Sequence, residues 1–228
     1  MRELGALEKK PKIIDDILFM DDLNLSKSDD AIWTMSSQVV NTYVINLDKD
    51  VTDPHHYRQI VKLCLQMSEN DVANWNINTF GGDLYSTIML VDAIRQSAGY
   101  HYGIVTLGSS AGSFIALALN DCEVVQHGEI FIHEVQSGNY GSNSNQEKRI
   151  MFMKDKQKRF IEDIYADFLT EEEMQRIQNN EELWLSDIEC NKRLENRRLV
   201  RERRLNGLPD KPIIKKKSKK ENNEFNGA

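Results

Sequence analysis

An α/β domain built on parallel strands is the fold class this sequence predicts, and three observations predict it. Short apolar runs, Tyr43-Val44-Ile45-Asn46-Leu47 and Val72 to Thr79, alternate with segments whose apolar residues recur every three or four positions. Helix-start and turn signals separate them: Asp53-Pro54 in one place, Phe80-Gly81-Gly82 in another. The stretch up to His133 then repeats the alternation as strand, sharp turn, helix, turn and strand. Parallel strands joined by helical crossovers fit such a pattern.

The elements follow in chain order. Residues 1–38 are polar and irregular, with acidic pairs at Asp15-Asp16, Asp21-Asp22 and Asp29-Asp30, and read as an N-terminal arm. A domain over 39–190 begins with the Tyr43–Leu47 strand. Asp53 as N-cap and Pro54 at the first helical position open a helix whose buried face carries Tyr57, Ile60, Val61, Cys64 and Met67. The strand Val72–Thr79 ends at Gly81-Gly82, and Leu84, Ile88, Val91 and Ile94 mark the next amphipathic helix. A strand at Ile104–Leu107 runs into the small-residue cluster Gly108 to Ser113, a helix starting near Phe114, and a strand closing on Ile130-Phe131-Ile132-His133. After a Gly-, Ser- and Asn-rich stretch, a long helix is expected over 146–169, with Met153, Phe160, Ile161, Ile164 and Phe168 on one face. Thr170 with Glu173 fits a capping box, and Leu183-Trp184-Leu185-Ser186 is the last apolar segment. Residues 191–228 read as a basic tail, helical at first and then disordered.

Composition narrows the function classes. The 228 residues, 40% of them hydrophobic, suit one sizeable domain with tails. Net charge is −7, yet 191–220 hold thirteen Lys and Arg against three acids, or +10, which leaves −17 on the rest. An acidic body argues against nucleic acid as the main ligand. No apolar run approaches the roughly 20 residues that span a bilayer, and the N-terminus lacks the apolar core of a secretory signal. Three cysteines, Cys64, Cys122 and Cys190, have no CxxC spacing and read as reduced packing thiols in a cytoplasmic protein.

A hydroxyl at a strand-to-helix turn is exposed beside backbone N–H groups that lack helical partners, and a histidine on a nearby strand can act as its base. Serine is also a favoured N-cap, so this stretch alone fits a plain helix start equally well. Ser110 falls at the turn and Ser113 inside the first helical turn, with Ser113 the competing nucleophile. His133 is the candidate base, because imidazole titrates near neutral pH. His55, His56, His101 and His127 read as structural.

Three separated segments give these residues a family resemblance. Asn78-Thr79-Phe80-Gly81-Gly82 is similar to an N-S-P-G-G turn, Ser110-Ala111-Gly112-Ser113-Phe114-Ile115-Ala116-Leu117-Ala118 to S-M-G-A-F-L-L-x-A, and Phe131-Ile132-His133-Glu134 to M-I-H-Q. Together they resemble the proteolytic subunit of the Clp protease, within the ClpP/crotonase superfamily, over about residues 43–190. The resemblance implies repeated ββα units with a protruding handle helix. It also implies a Ser110-His133-Glu182 triad, with Glu181 as the alternative acid, and an oxyanion hole from the N–H groups of Gly82 and Ala111. Substrate contacts would come from Gly81, Asp83, Glu134 and Val135, with an extended peptide pairing as an added strand after His133.

Phe80 replaces the family's proline, and Thr106-Leu107-Gly108-Ser109-Ser110 replaces its G-Q-A-A-S. The pore-lining N-terminal segment and the closing Y-G-L-(I/V)-D motif have no counterpart here. The implied protein is a divergent serine endopeptidase of unfolded polypeptides, with a phage-encoded origin among the readings, working as a ring or double ring with neither metal nor cofactor. An AAA+ unfoldase partner follows by analogy only. The alternatives are an inactive subunit with an assembly role, a capsid or scaffold maturation protease, and a crotonase-like acyl-CoA enzyme.

Overall fold

The computed structural model describes residues 40–135 and 143–208; the N-terminal arm, the Gly-rich stretch after His133 and the end of the basic tail lie outside them. Five strands, β1 (Thr42–Leu47), β2 (Val72–Thr79), β3 (Tyr100–Ser109), β4 (Asp121–Ile132) and β5 (Leu183–Ser186), form one sheet in chain order. The first four run parallel, and β5 adds antiparallel to β4. Between them lie α1 (Arg58–Gln66), α2 (Leu84–Gln96), α3 (Ala111–Ala118), α4 (Asn143–Tyr165) and α5 (Glu171–Gln178), and α6 (Asp187–Leu205) follows β5. The mixed α/β class expected from the sequence is what forms.

Sequential parallel strands with right-handed crossovers place their helices on one face of a sheet, and burial follows. In β2, Ala73, Trp75, Ile77 and Thr79 are buried while Asn76 and Asn78 face solvent; in β3, His101, Gly103 and Val105 alternate with exposed Ile104 and Thr106. Two segments are longer than the sequence suggests. β3 starts at Tyr100, and β4 starts at Asp121, because a register irregularity opposite Val105–Leu107 and the solvent-facing Glu123, Gln126, His127 and Glu129 interrupt the apolar alternation.

Helix starts follow local chemistry. Thr170 and Glu173 form the expected capping box, and Asp83 caps α2 by accepting from the Ser86 N–H at 2.7 Å. Asp53 differs: Pro54–Tyr57 is a 3-10 turn, and the Asp53 carboxylate makes no cap.

The long helix ends at Tyr165, short of the expected residue 169. The face carrying Met153, Ile161 and Ile164, together with Phe168 beyond the helix end, is buried inside this chain. Phe114 of α3 stacks on Phe160 at 4.7 Å and lies 4.8 Å from Tyr165, ring centre to centre. The apolar side chains left exposed on α4 are Ile150, Met151 and Phe152 instead.

Up to Leu205 the basic run is a packed helix, with Leu194 and Arg197 buried. Arg197 donates to the carbonyls of Leu117 (2.9 Å) and Ile164 (3.4 Å), which end α3 and α4, so a cation meets the negative ends of two helices. Burial lowers its pKa to about 10. Asn191 bonds both the N–H and the carbonyl of Val124, standing in for a strand neighbour where β5 does not reach. Among the described residues no helix is long and apolar enough to cross a membrane.

One core group makes stability depend on pH. His101 is fully buried, its Nδ1 accepts from Trp75 Nε1 at 3.0 Å, and its Nε2 has no partner among the described residues. Burial lowers its pKa from 6.5 to about 4. The folded state therefore prefers the neutral ring. Above pH 6.5 nothing is lost; from pH 6.5 down to 4 the unfolded chain binds the extra proton, and about 3 kcal/mol of stability is lost across that window. Urea unfolding at pH 7 and pH 4.5 should show the loss. His101→Gln, which keeps an acceptor for Trp75 and does not titrate, should lack that part of it.

Candidate active site

The site grows from the end of β3. Ser110 interrupts the chain between Ser109 and Ala111 with φ 51° and ψ −114°, a conformation non-glycine residues avoid. Its N–H still donates to the Phe131 carbonyl at 2.8 Å, continuing the sheet ladder, while its carbonyl turns into α3. The next residues bury an apolar helix at once, so the hydroxyl-bearing residue is held at the lip of the sheet.

Gly81 and Gly82 close over this turn. Gly81 has φ 102°, and a Cβ placed there would lie 2.7 Å from Ser110 Cβ and 2.9 Å from Ala111 N. Gly82, with φ 143°, runs so close to Val51 that a side chain would overlap its carbonyl. The turn is strapped to Val51 by Val51 N–H to Gly81 O and Asp83 N–H to Val51 O, both 2.7 Å. Thr79 braces it from below: its hydroxyl donates to Lys49 O at 2.8 Å and accepts the Gly81 N–H at 3.1 Å. The N–H groups of Gly82 and Ala111 have no partner among the described residues. Of the expected substrate contacts, Gly81 and Asp83 have their backbone N–H groups engaged, and the Asp83 carboxylate caps α2.

His133 leaves the end of β4, next to the strand that carries Ser110. Its ring stacks on Phe131 at 5.2 Å, and Phe131 lies 4.0 Å from Trp184 of β5. Ile132 pairs with Leu183, so the next step of the antiparallel register sets Glu182 across from His133. Glu181 is engaged elsewhere, with its carboxylate 2.7 Å from Arg176 Nε. Ser110, His133 and Glu182 thus stand just beyond the ends of three neighbouring strands, at one end of the sheet. Among the described residues no hydrogen bond joins Ser110 to His133, and no ion pair joins His133 to Glu182. Glu134 and Val135 continue into a groove of about 300 Å³ against Ile150, Met153, Lys154, Gln157 and Asn180.

Ser113, the competing nucleophile, is fully buried and committed. Its hydroxyl donates to Ser110 O at 2.6 Å and lies 2.6 Å from the hydroxyl of Tyr165, at the end of α4. Burial pushes the Tyr165 pKa up, so the phenol stays protonated. The Ser110 carbonyl and the Ala111 N–H belong to one planar peptide and point in opposite directions. Holding the first therefore aims the second. Sequence reasoning missed Tyr165, which is separated from Ser113 by most of two elements.

With the Ala111 N–H as the oxyanion donor that the family resemblance implies, Ser113→Ala and Tyr165→Phe should each lower kcat by about tenfold with little change in KM, since neither touches bound substrate. The Ser110 carbonyl keeps the Ser113 N–H at 3.0 Å, which limits the effect. Ser113→Ala strands the buried Tyr165 hydroxyl, at about 1–3 kcal/mol, whereas in Tyr165→Phe the Ser113 hydroxyl keeps its bond to Ser110 O. The double variant should be less destabilised than the sum of the two, as a double-mutant cycle in urea would read.

The cysteines offer no competing chemistry. All three are buried free thiols, with pKa values raised by burial to about 11 for Cys64 and about 12 for Cys122 and Cys190.

With this geometry in place, the comparison with known families is decisive: the model of the Clp protease family matches residues 27–192. The chain belongs to the Clp protease family. The match takes in every element from β1 to β5 and the start of α6. No curated protein matches the chain in a direct search. Membership agrees with a Clp-like α/β fold and with peptide-bond hydrolysis as the general chemistry.

Proposed function

We propose that this Clp family member is a serine endopeptidase that cleaves extended polypeptides, with Ser110 as nucleophile, His133 as base and Glu182 as the acid that orients it. The observation that carries the reading is the strained Ser110, held at φ 51° beside two N–H groups without partners among the described residues. Strain of this kind persists where the surrounding structure enforces it, and it clusters at active sites. Attack by the hydroxyl would place the developing oxyanion near Gly82 and Ala111. His133 would take the serine proton and return it to the leaving amine.

Substrate would run past Glu134 and Val135 along the groove at the base of α4. Self-association into a ring, using the exposed Ile150, Met151 and Phe152 of α4, fits the family. An unfoldase partner remains an analogy.

A second reading, an inactive subunit with an assembly role, is favoured by one observation: the three side chains are not hydrogen-bonded to one another in the single chain. Unliganded sites are often loose and tighten in the substrate complex. A fluorophosphonate probe on the purified protein, with the labelled peptide mapped by mass spectrometry, separates the readings. Labelling at Ser110 supports the peptidase. An intact oligomer that takes no label at any pH supports the assembly role.

A further inference from the structure

The turn that enters α1 holds a group of metal-binding side chains away from the peptidase centre. Asp53, His55 and His56 present donor atoms that all lie within 4.8 Å of one another, and all three residues are exposed. Successive side chains on a 3-10 turn diverge by about 120°, yet the two imidazoles converge, with ring centres 3.8 Å apart and planes 38° apart.

Asp53 stands at the N-cap position, where a carboxylate normally accepts a backbone N–H. Here the carboxylate caps nothing, and neither it nor the two imidazoles makes a hydrogen bond or ion pair among the described residues; only the Asp53 backbone carbonyl is engaged, by the His56 N–H at 3.1 Å. The backbone beneath is pinned. The buried Tyr57 hydroxyl accepts from Thr52 N–H at 3.0 Å, and Ser86 Oγ donates to Thr52 O at 2.5 Å.

We propose that Asp53, His55 and His56 form a divalent-metal site. Two imidazole nitrogens and one carboxylate oxygen suit zinc, cobalt(II) or nickel(II), with water completing the coordination, whereas magnesium and calcium prefer oxygen-only sites. The ion would sit two residues from Val51, which straps the Gly81-Gly82 turn.

The test is calorimetric titration of the full-length Ser110→Ala protein with zinc, and its absorbance spectrum with cobalt(II); neither readout depends on peptidase activity. The expected result is one ion per chain and a thermal midpoint that rises with zinc. Affinity should fall by about tenfold or more in both His55→Ala and His56→Ala, since even outer-shell changes weaken metal sites by 10–100-fold. Unchanged affinity in the His55→Ala/His56→Ala double variant, or no binding at millimolar zinc, overturns the proposal.

Discussion

Replacing Ser110 with alanine is expected to reduce kcat/KM on an unstructured peptide by about 10⁴-fold or more, the scale seen when a triad nucleophile is removed, while leaving folding stability unchanged. The loss is chemical because alanine keeps the Cβ and the same backbone demand. The bonds that hold this turn are backbone ones: Ser110 N–H to Phe131 O, and Ser113 and Phe114 N–H to Ser110 O. Ser110→Gly separates the two effects further. It also removes the hydroxyl, but it relieves a non-glycine φ of 51°, so it should be inactive and more stable by about 1 kcal/mol. Peptide cleavage and urea unfolding, measured side by side on both variants, test this. Retention of more than a tenth of the activity in Ser110→Ala would move the nucleophile elsewhere.

What was legible in the sequence is what local chemistry decides. The limits of β2, the Thr170–Glu173 capping box and the placing of Ser110 at the strand-to-helix turn all rest on residues within a few positions of one another. The Gly81-Gly82 turn was legible for the same reason. Periodicity showed that α4 has an apolar face but not what covers it. The covering side chain, Phe114, lies across a segment outside the described residues. Arg197 of α6 read as part of a solvated run because its partners are backbone carbonyls at the ends of α3 and α4, which carry no sequence signature. The Tyr165–Ser113 pair was hidden similarly: a tyrosine in a helix looks like packing until its hydroxyl is seen 2.6 Å from a buried serine. The family resemblance had already put Glu182 ahead of Glu181; the β4–β5 register and the Arg176 partner of Glu181 join distant segments and had no local signal in the sequence.

Gly81→Ala should be severely damaging although it alters none of the three proposed catalytic side chains. A Cβ at Gly81 would meet Ser110 Cβ at 2.7 Å, Ser109 O at 2.8 Å and Ala111 N at 2.9 Å. None of these is the free end of a flexible side chain, so no rotamer change relieves the overlap. Either the Gly81-Gly82 turn lifts away from Ser110 or the Ser110 turn is pushed toward β4. Both movements would separate the proposed nucleophile from its proposed oxyanion donors, and displacements of about 1 Å in such a site lower rates by about 10²-fold. The φ of 102° adds backbone strain, and together with the overlap the destabilisation should reach about 2–4 kcal/mol. Gly207→Ala is the matched control. Gly207 also has a positive φ, 66°, but a Cβ there would meet nothing within 4 Å. That variant should lose only about 1 kcal/mol and keep full activity. If Gly81→Ala holds its cleavage rate within a factor of three of the Gly207→Ala variant, the two glycines are a folding device and the oxyanion must be stabilised from somewhere else.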